Sequence, residues 1–188
     1  MADIAVYSGS FNPLHIGHLA IIRHLIEEAD FDMVYLIVSP KNPLKDSISS
    51  DSAAARYNAA IAAIHRHFSE INRVLVDDIE LSMPEPHYTI RTLDALRERE
   101  PENTFTLVMG ADSLADIRRW KDYSRILKDF GVAVFPRKEH DLATIKADLL
   151  NENPAYRINL LNAEMVDISS TTIREAIAQG KDISNFLI

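Results

Sequence analysis

The chain of 188 residues has no cysteine. That removes disulfides, thiolate nucleophiles and cysteine zinc sites together, and it fits a reducing, cytoplasmic setting. No apolar run approaches membrane-spanning length, and no basic segment followed by a long apolar stretch opens the sequence. Neither an anchor nor a secretory leader is therefore expected, and the fold is expected to begin at Asp3 or Ile4. Linkers rich in Gly, Ser or Pro are missing too, as are repeats and composition shifts, so residues 1–188 are expected to form a single domain. Positive charge is scarce: 20 Lys and Arg stand against 28 Asp and Glu, a net charge of −8. Such a balance argues against a broad nucleic-acid surface, and an anionic substrate must be met by local cations rather than by the overall field.

What is present alternates. Apolar, β-branched runs at Ile4–Tyr7, Met33–Val38, Val74–Val76, Thr104–Met109, Val132–Phe135 and Arg157–Leu161 predict buried strands. Between them, helical spacing marks Leu19–Glu28, Ser52–Phe68, Ile90–Arg99, Ser124–Phe130, Leu142–Leu150 and Thr171–Gln179. This order predicts an α/β fold, a doubly wound parallel sheet with helices on both faces, whose ligands bind beyond the carboxyl ends of the strands.

The densest chemistry follows the first predicted strand, in Ser8-Gly9-Ser10-Phe11-Asn12-Pro13-Leu14-His15-Ile16-Gly17-His18. A strand feeds a small-residue turn that opens a helix. Gly9 and Ser10 let backbone approach an anion, and the start of the helix is expected to present unpaired N–H groups to it. His15 and His18, three apart, share one helix face. Each imidazole can donate a hydrogen bond to a phosphate oxygen and, when protonated, neutralise part of its charge.

Other segments lie just after predicted strands. Lys41 and Lys45, in a proline-containing loop, are either solvated surface lysines or a mobile clamp over a polyphosphate. Asp77, Asp78 and Glu80 are read as a solvated acidic edge, with metal ligation as the alternative. Tyr88 and Thr89 precede a helix; Thr89 is either its cap or part of an amide site for a carboxylate. Asp112, in Gly110-Ala111-Asp112-Ser113-Leu114, can cap a helix. Trp120, the one tryptophan, sits among charged residues and can stack a flat ring. In Ser169-Ser170-Thr171-Thr172-Ile173-Arg174 a hydroxyl can cap the last helix, while Arg174 early in that helix suggests either a bound phosphate or a surface salt bridge. His24, His65, His67 and His140 are read as surface residues.

The first turn resembles the HxGH signature of the nucleotidyltransferase α/β phosphodiesterase superfamily. With Ser39–Lys45, Asp77–Thr89, Gly110–Trp120 and Ser169–Arg174, nearly the whole chain resembles bacterial nicotinate mononucleotide adenylyltransferases. The resemblance implies a Rossmann-like fold and attack of the mononucleotide 5′-phosphate on the α-phosphorus of ATP, with Mg2+ bound through the ATP phosphates and no residue assigned as a metal ligand. It implies His15, His18 and Arg174 as catalytic residues. ATP would be bound by Ser8, Gly9, Ser10, Phe11, Gly17, Lys45, Gly110, Asp112, Ser169, Ser170 and Thr171. Tyr88, Thr89, Trp120 and Lys121 would receive the mononucleotide. Partners are then ATP and nicotinate mononucleotide, with neither nucleic acid nor membrane; a homo-oligomer stays open. Ser8 stands where the family usually has glycine, Asn12 where it often has aspartate and Leu44 where it has histidine, and the chain ends before a short helix that relatives carry. The alternatives are an enzyme of the same superfamily acting on nicotinamide mononucleotide or phosphopantetheine, or a nucleotide-sensing domain without turnover.

Overall fold

A computed structural model describes residues 1–40, 52–137, 140–163 and 170–188. Six strands, β1 (Asp3–Gly9), β2 (Met33–Val38), β3 (Val74–Asp77), β4 (Thr104–Gly110), β5 (Val132–Phe135) and β6 (Ile158–Leu160), form one parallel sheet in the order β3-β2-β1-β4-β5-β6. The strand order reverses between β1 and β4, and the carboxyl end of that crevice is where such sheets take ligands.

Period-two alternation assigns each strand side chain to a face. Ile4 and Val6 of β1 join Tyr35 and Ile37 of β2 on one side, against Ile90, Leu93 and Leu96 of α4 (Thr89–Arg99). Ala5 and Tyr7 join Val34, Leu36 and Val38 on the other, against Ile22 and Leu25 of α1 (Ile16–Glu27) and Ala60 and Ile64 of α2 (Ala53–Phe68). The first face is closed by Leu114 of α5 (Ala111–Ala115), Ile117 of a 3₁₀ turn (Ile117–Arg119), and Ile126 and Leu127 after α6 (Tyr123–Arg125). Leu142 and Leu149 of α7 (Leu142–Glu152) complete it, and α8 (Ser170–Ala178) follows near the C-terminus.

The predicted strands and helices are present, with differences at their ends. Helix α1 starts at Ile16 rather than Leu19 because His15 caps it through its own side chain. The stretch predicted as one helix over 124–130 is a short α segment continued by a π turn, Ile126–Phe130, which brings three bulky side chains, Ile126, Leu127 and Phe130, into the core. A four-residue helix, α3 (Ile79–Ser82), is too short to leave a periodic signal.

The acids after β3 correct the expected solvated edge. Asp77 is 5% exposed and Glu80 2%; only Asp78 is exposed. Asp77 Oδ2 lies 2.6 Å from Arg99 Nη2, its Oδ1 lies 3.3 Å from Nη1, and Oδ1 also accepts the Ile79 N–H at 2.9 Å. This forked pair joins the end of β3 to the last turn of α4. Replacing Arg99 by Met leaves a buried carboxylate with a single N–H donor and is expected to cost about 1–3 kcal/mol. A fall in the urea midpoint with an unchanged slope checks this, and an unchanged midpoint contradicts it.

Candidate active site

The turn after β1 is built around an aromatic cluster. Phe11 adopts a left-handed backbone (φ 44°), and its buried ring meets Tyr7 edge-on at 5.4 Å and His18 at 5.0 Å. A Cβ on Gly9 would come within 3.1 Å of that ring, so Phe11 packing is itself a reason for glycine here.

The two histidines do more than share a face. The rings are stacked with centroids 3.7 Å apart. The Nδ1 of His15 accepts the Gly17 N–H at 3.2 Å, and the Nδ1 of His18 accepts the His15 N–H at 3.1 Å. Each Nδ1 is therefore an acceptor, which leaves the proton of a neutral ring on Nε2. Burial first, and the nearby Arg137 guanidinium second, pull His15 down from its ordinary 6.5 to about 4. His18 is lowered well below 6.5 by burial, then by His15, then by Arg137. Both shifts favour neutral rings with Nε2–H as the donor, so the charge that the sequence allows on a protonated imidazole is disfavoured here.

The start of α1 is likewise not the open row of donors that the sequence suggests. The Ile16 N–H goes to Phe186 O at 3.2 Å, the Gly17 N–H to His15, and the His18 N–H to His15 O at 2.9 Å. Cationic charge comes instead from arginines. Arg174 of α8 donates to Asn12 O at 2.6 Å and to Thr171 Oγ1 at 3.0 Å, and among the described residues no carboxylate pairs with it. Arg137, two residues beyond β5, lies close enough to lower the pKa of both histidines.

Asp112 in the first turn of α5 makes no cap bond. Its carboxylate faces Arg137 Nε at 3.6 Å and His140 Nε2 at 2.8 Å, so His140 is not the partnerless surface residue expected. The space a Cβ on Gly110 would need is taken by the Phe135 ring at 3.0 Å. Tyr88 is the N-cap of α4 without a side-chain cap bond, and helix geometry leaves the Thr89 and Ile90 amides without intrahelical acceptors. Tyr88 and Trp120 are half-buried against the same apolar cluster, while Lys121 is exposed with its ammonium 3.7 Å from Asp122. Ser8 is half-buried, Ser10 and Thr171 are exposed, and Gly17 is buried. Lys41, Lys45 and Ser169 lie outside the described residues, as does the side chain of Ser170.

Two residues escaped sequence reasoning. Arg137 carried the signal used elsewhere, a cation just past a strand. Arg56 is 4% exposed and sits one turn before Ala60 on the buried face of α2, where a charged residue is itself the signal. Its guanidinium donates to Ser10 O, to Ser39 O at 2.9 Å and to Pro40 O at 3.1 Å, tying the first turn to the segment after β2. Among the described residues no three His, Asp or Glu side chains converge as a metal cage.

The cytidylyltransferase-like family pattern matches residues 6–176. Over 184 residues the chain is 34% identical to a protein of Flavobacterium johnsoniae and 37% identical to one of Flavobacterium psychrophilum, each named "Probable nicotinate-nucleotide adenylyltransferase". Each match covers 98% of this chain and 91% of the relative. The Plasmodium falciparum nicotinic acid mononucleotide adenylyltransferase complexed with NaAD superposes with a TM-score of 0.79 at 20% identity, covering 100% of this chain and 91% of that one. Its complex with APC gives 0.73 at 20% identity. At that identity the likeness speaks to the fold.

The depressed histidines give a stability test. A group whose folded pKa is lowered contributes stability above its unfolded value and loses it as pH falls through the folded one. For His15 that window runs from 6.5 down to about 4. His15→Asn, which can still accept the Gly17 N–H, is expected to lose stability less steeply across it than the wild type. Parallel urea-midpoint curves would contradict the assignment.

Proposed function

The chain belongs to the nicotinate-nucleotide adenylyltransferases of the cytidylyltransferase-like family, and from that premise we propose that it transfers the adenylyl group of ATP to nicotinate mononucleotide, acting as a single domain. A 5′-phosphate oxygen of the mononucleotide bonds to the α-phosphorus of ATP while the bond from that phosphorus to the bridging oxygen of the β-phosphate breaks. Deamido-NAD and pyrophosphate leave, and no covalent intermediate on the protein is required. The observation that carries this reading is the pair of imidazoles locked as Nε2–H donors at the carboxyl end of β1, with Arg174 anchored to the same turn.

Catalysis in such a site is positioning plus charge stabilisation. His18 donates Nε2–H to the phosphate oxygens where charge develops, and His15 donates beside it while holding the His18 ring by stacking. Arg174 and Arg137 supply the fixed positive charge that neutral imidazoles do not. Ser8, Gly9, Ser10, Phe11 and Gly17 shape the ATP turn, Thr171, Ser170, Ser169 and Lys45 are assigned to ATP as well, Asp112 meets the ribose, and Gly110 permits close approach of the nucleotides. Mg2+ arrives with ATP as part of the substrate and offsets charge on the departing pyrophosphate. Trp120 stacks the pyridine ring and Tyr88 lines its edge. The Thr89 amide and the backbone at Lys121 receive the carboxylate, and N–H donors there favour an acid over a neutral amide.

Pyrophosphate release from MgATP, compared with nicotinate mononucleotide, nicotinamide mononucleotide and phosphopantetheine as acceptors, tests the reading. Selective turnover of the first supports it; preference for another acceptor, or ATP binding without turnover, overturns it. His18→Ala is expected to lower kcat by about 10²-fold with the fold retained, as loss of a charge-stabilising donor does; an unchanged kcat removes His18 from the mechanism. Trp120→Ala is expected to raise KM for the mononucleotide more than KM for ATP, and the reverse order contradicts ring stacking.

A further inference from the structure

Glu80 is the most deeply buried acid among the described residues, 2% exposed, and the mechanism above makes no use of it. Both of its oxygens are held by hydroxyl groups. Oε2 accepts from Ser39 Oγ at 2.6 Å, and Oε1 accepts from Thr92 Oγ1 at 2.7 Å, where Thr92 is itself 1% exposed. Because the Ser39 hydrogen is committed to Glu80, the 3.0 Å contact between Ser8 Oγ and Ser39 Oγ must have Ser8 as donor. A directed chain results, from Ser8 to Ser39 to Glu80, met from the far side by Thr92.

Desolvating a carboxylate is expensive, and an apolar side chain of similar volume at this position would serve a core better. What Glu80 provides instead is connection between separate elements. Ser8 is the penultimate residue of β1 and adjoins Gly9 of the ATP turn. Ser39 follows β2 and is pinned from its other side, since its carbonyl accepts from Arg56, which also holds Ser10 O. Thr92 lies in the first turn of α4, on the helix whose leading amide at Thr89 receives the mononucleotide carboxylate in the reading above. Glu80 thus stands between the two substrate sites, bonded to an element of each.

We propose that Glu80 is a positioning residue that sets the ATP turn, through Ser39 and Ser8, in register with the mononucleotide helix, through Thr92. The inference rests on the substrate assignment above. Ser8 extends the relay to the residue before Gly9.

The test is a split between substrates, read as KM and as calorimetric Kd so that binding decides even where turnover is silent. Thr92→Val, nearly isosteric but without the hydroxyl, is expected to weaken the mononucleotide by about fivefold or more while ATP stays within about twofold. Thr92→Ser is expected to restore wild-type values. Ser39→Ala is expected to show the opposite order, weakening ATP, and Glu80→Gln to weaken both. If these variants lower the urea midpoint but leave both constants unchanged, or move both substrates equally in every variant, Glu80 is a structural brace and the proposal fails. The substrate reading fails separately: wild-type protein that prefers nicotinamide mononucleotide overturns that reading, and the same split is then measured with the preferred acceptor.

Discussion

The arrangement of the site depends on two imidazole nitrogens accepting backbone hydrogens. His15 and His18 each give up Nδ1 to an N–H at the start of α1, and this one choice has three consequences. It starts the helix at Ile16, it fixes the tautomer of both rings, and it consumes donors that would otherwise greet an anion. Burial then favours neutral rings, so in the proposed reading the signature pair offers directed hydrogen bonds before charge. Positive charge must therefore come from elsewhere, and Arg174 and Arg137 approach the same edge from elements late in the chain. A division of labour between neutral donors and fixed guanidiniums follows from the geometry of a single helix start.

The second constraint is burial of charge at the carboxyl edge of the sheet. Asp77, Glu80 and Arg56 are all under 6% exposed, and each bonds across elements. Asp77 ties β3 to α4, Arg56 ties α2 to the turn after β1 and to the segment after β2, and Glu80 joins that segment to α4. Loops at this edge carry the ligands, and loops alone do not hold a phosphate to a fraction of an ångström. Buried polar bonds with fixed directions supply the stiffness that apolar packing, which is not directional, does not.

The sheet was readable from the sequence because strand and helix obey different periods, and six apolar runs separated by helical spacing admit few other folds. The edge that carries the candidate site was readable for the same reason, since each motif follows a strand. Three features were not. The helix start at His15 was hidden because histidine is not among the ordinary capping residues, and its capping use appears only once the ring is placed. The acids after β3 look solvated in sequence because Asp77 finds its partner 22 residues away in Arg99. The packing role of glycines 9 and 110 was the third, because the Phe11 and Phe135 rings that take the space a Cβ would need are placed there only by the fold. In each case the missing information was a contact distant in sequence or a side chain acting against its usual habit.

The ion pairs at this edge differ in a way that bears on substrate entry. The forked pair of Asp77 with Arg99 has a carboxylate that is 4% exposed, and separating it would strand a buried charge. The side chain of Asp112, in contrast, is 62% exposed, and its contacts to Arg137 and His140 are the sort that water and salt weaken readily. A triphosphate carries more charge than one carboxylate and offers more acceptor oxygens. In the proposed reading it draws Arg137 from Asp112, an exposed contact that does not brace the sheet edge. In a chain of net charge −8, a cation kept near the site by a weak, exposed acid is available to an anionic ligand while still being placed by the protein. The strong pairs brace the edge, and the weak one leaves it free to respond.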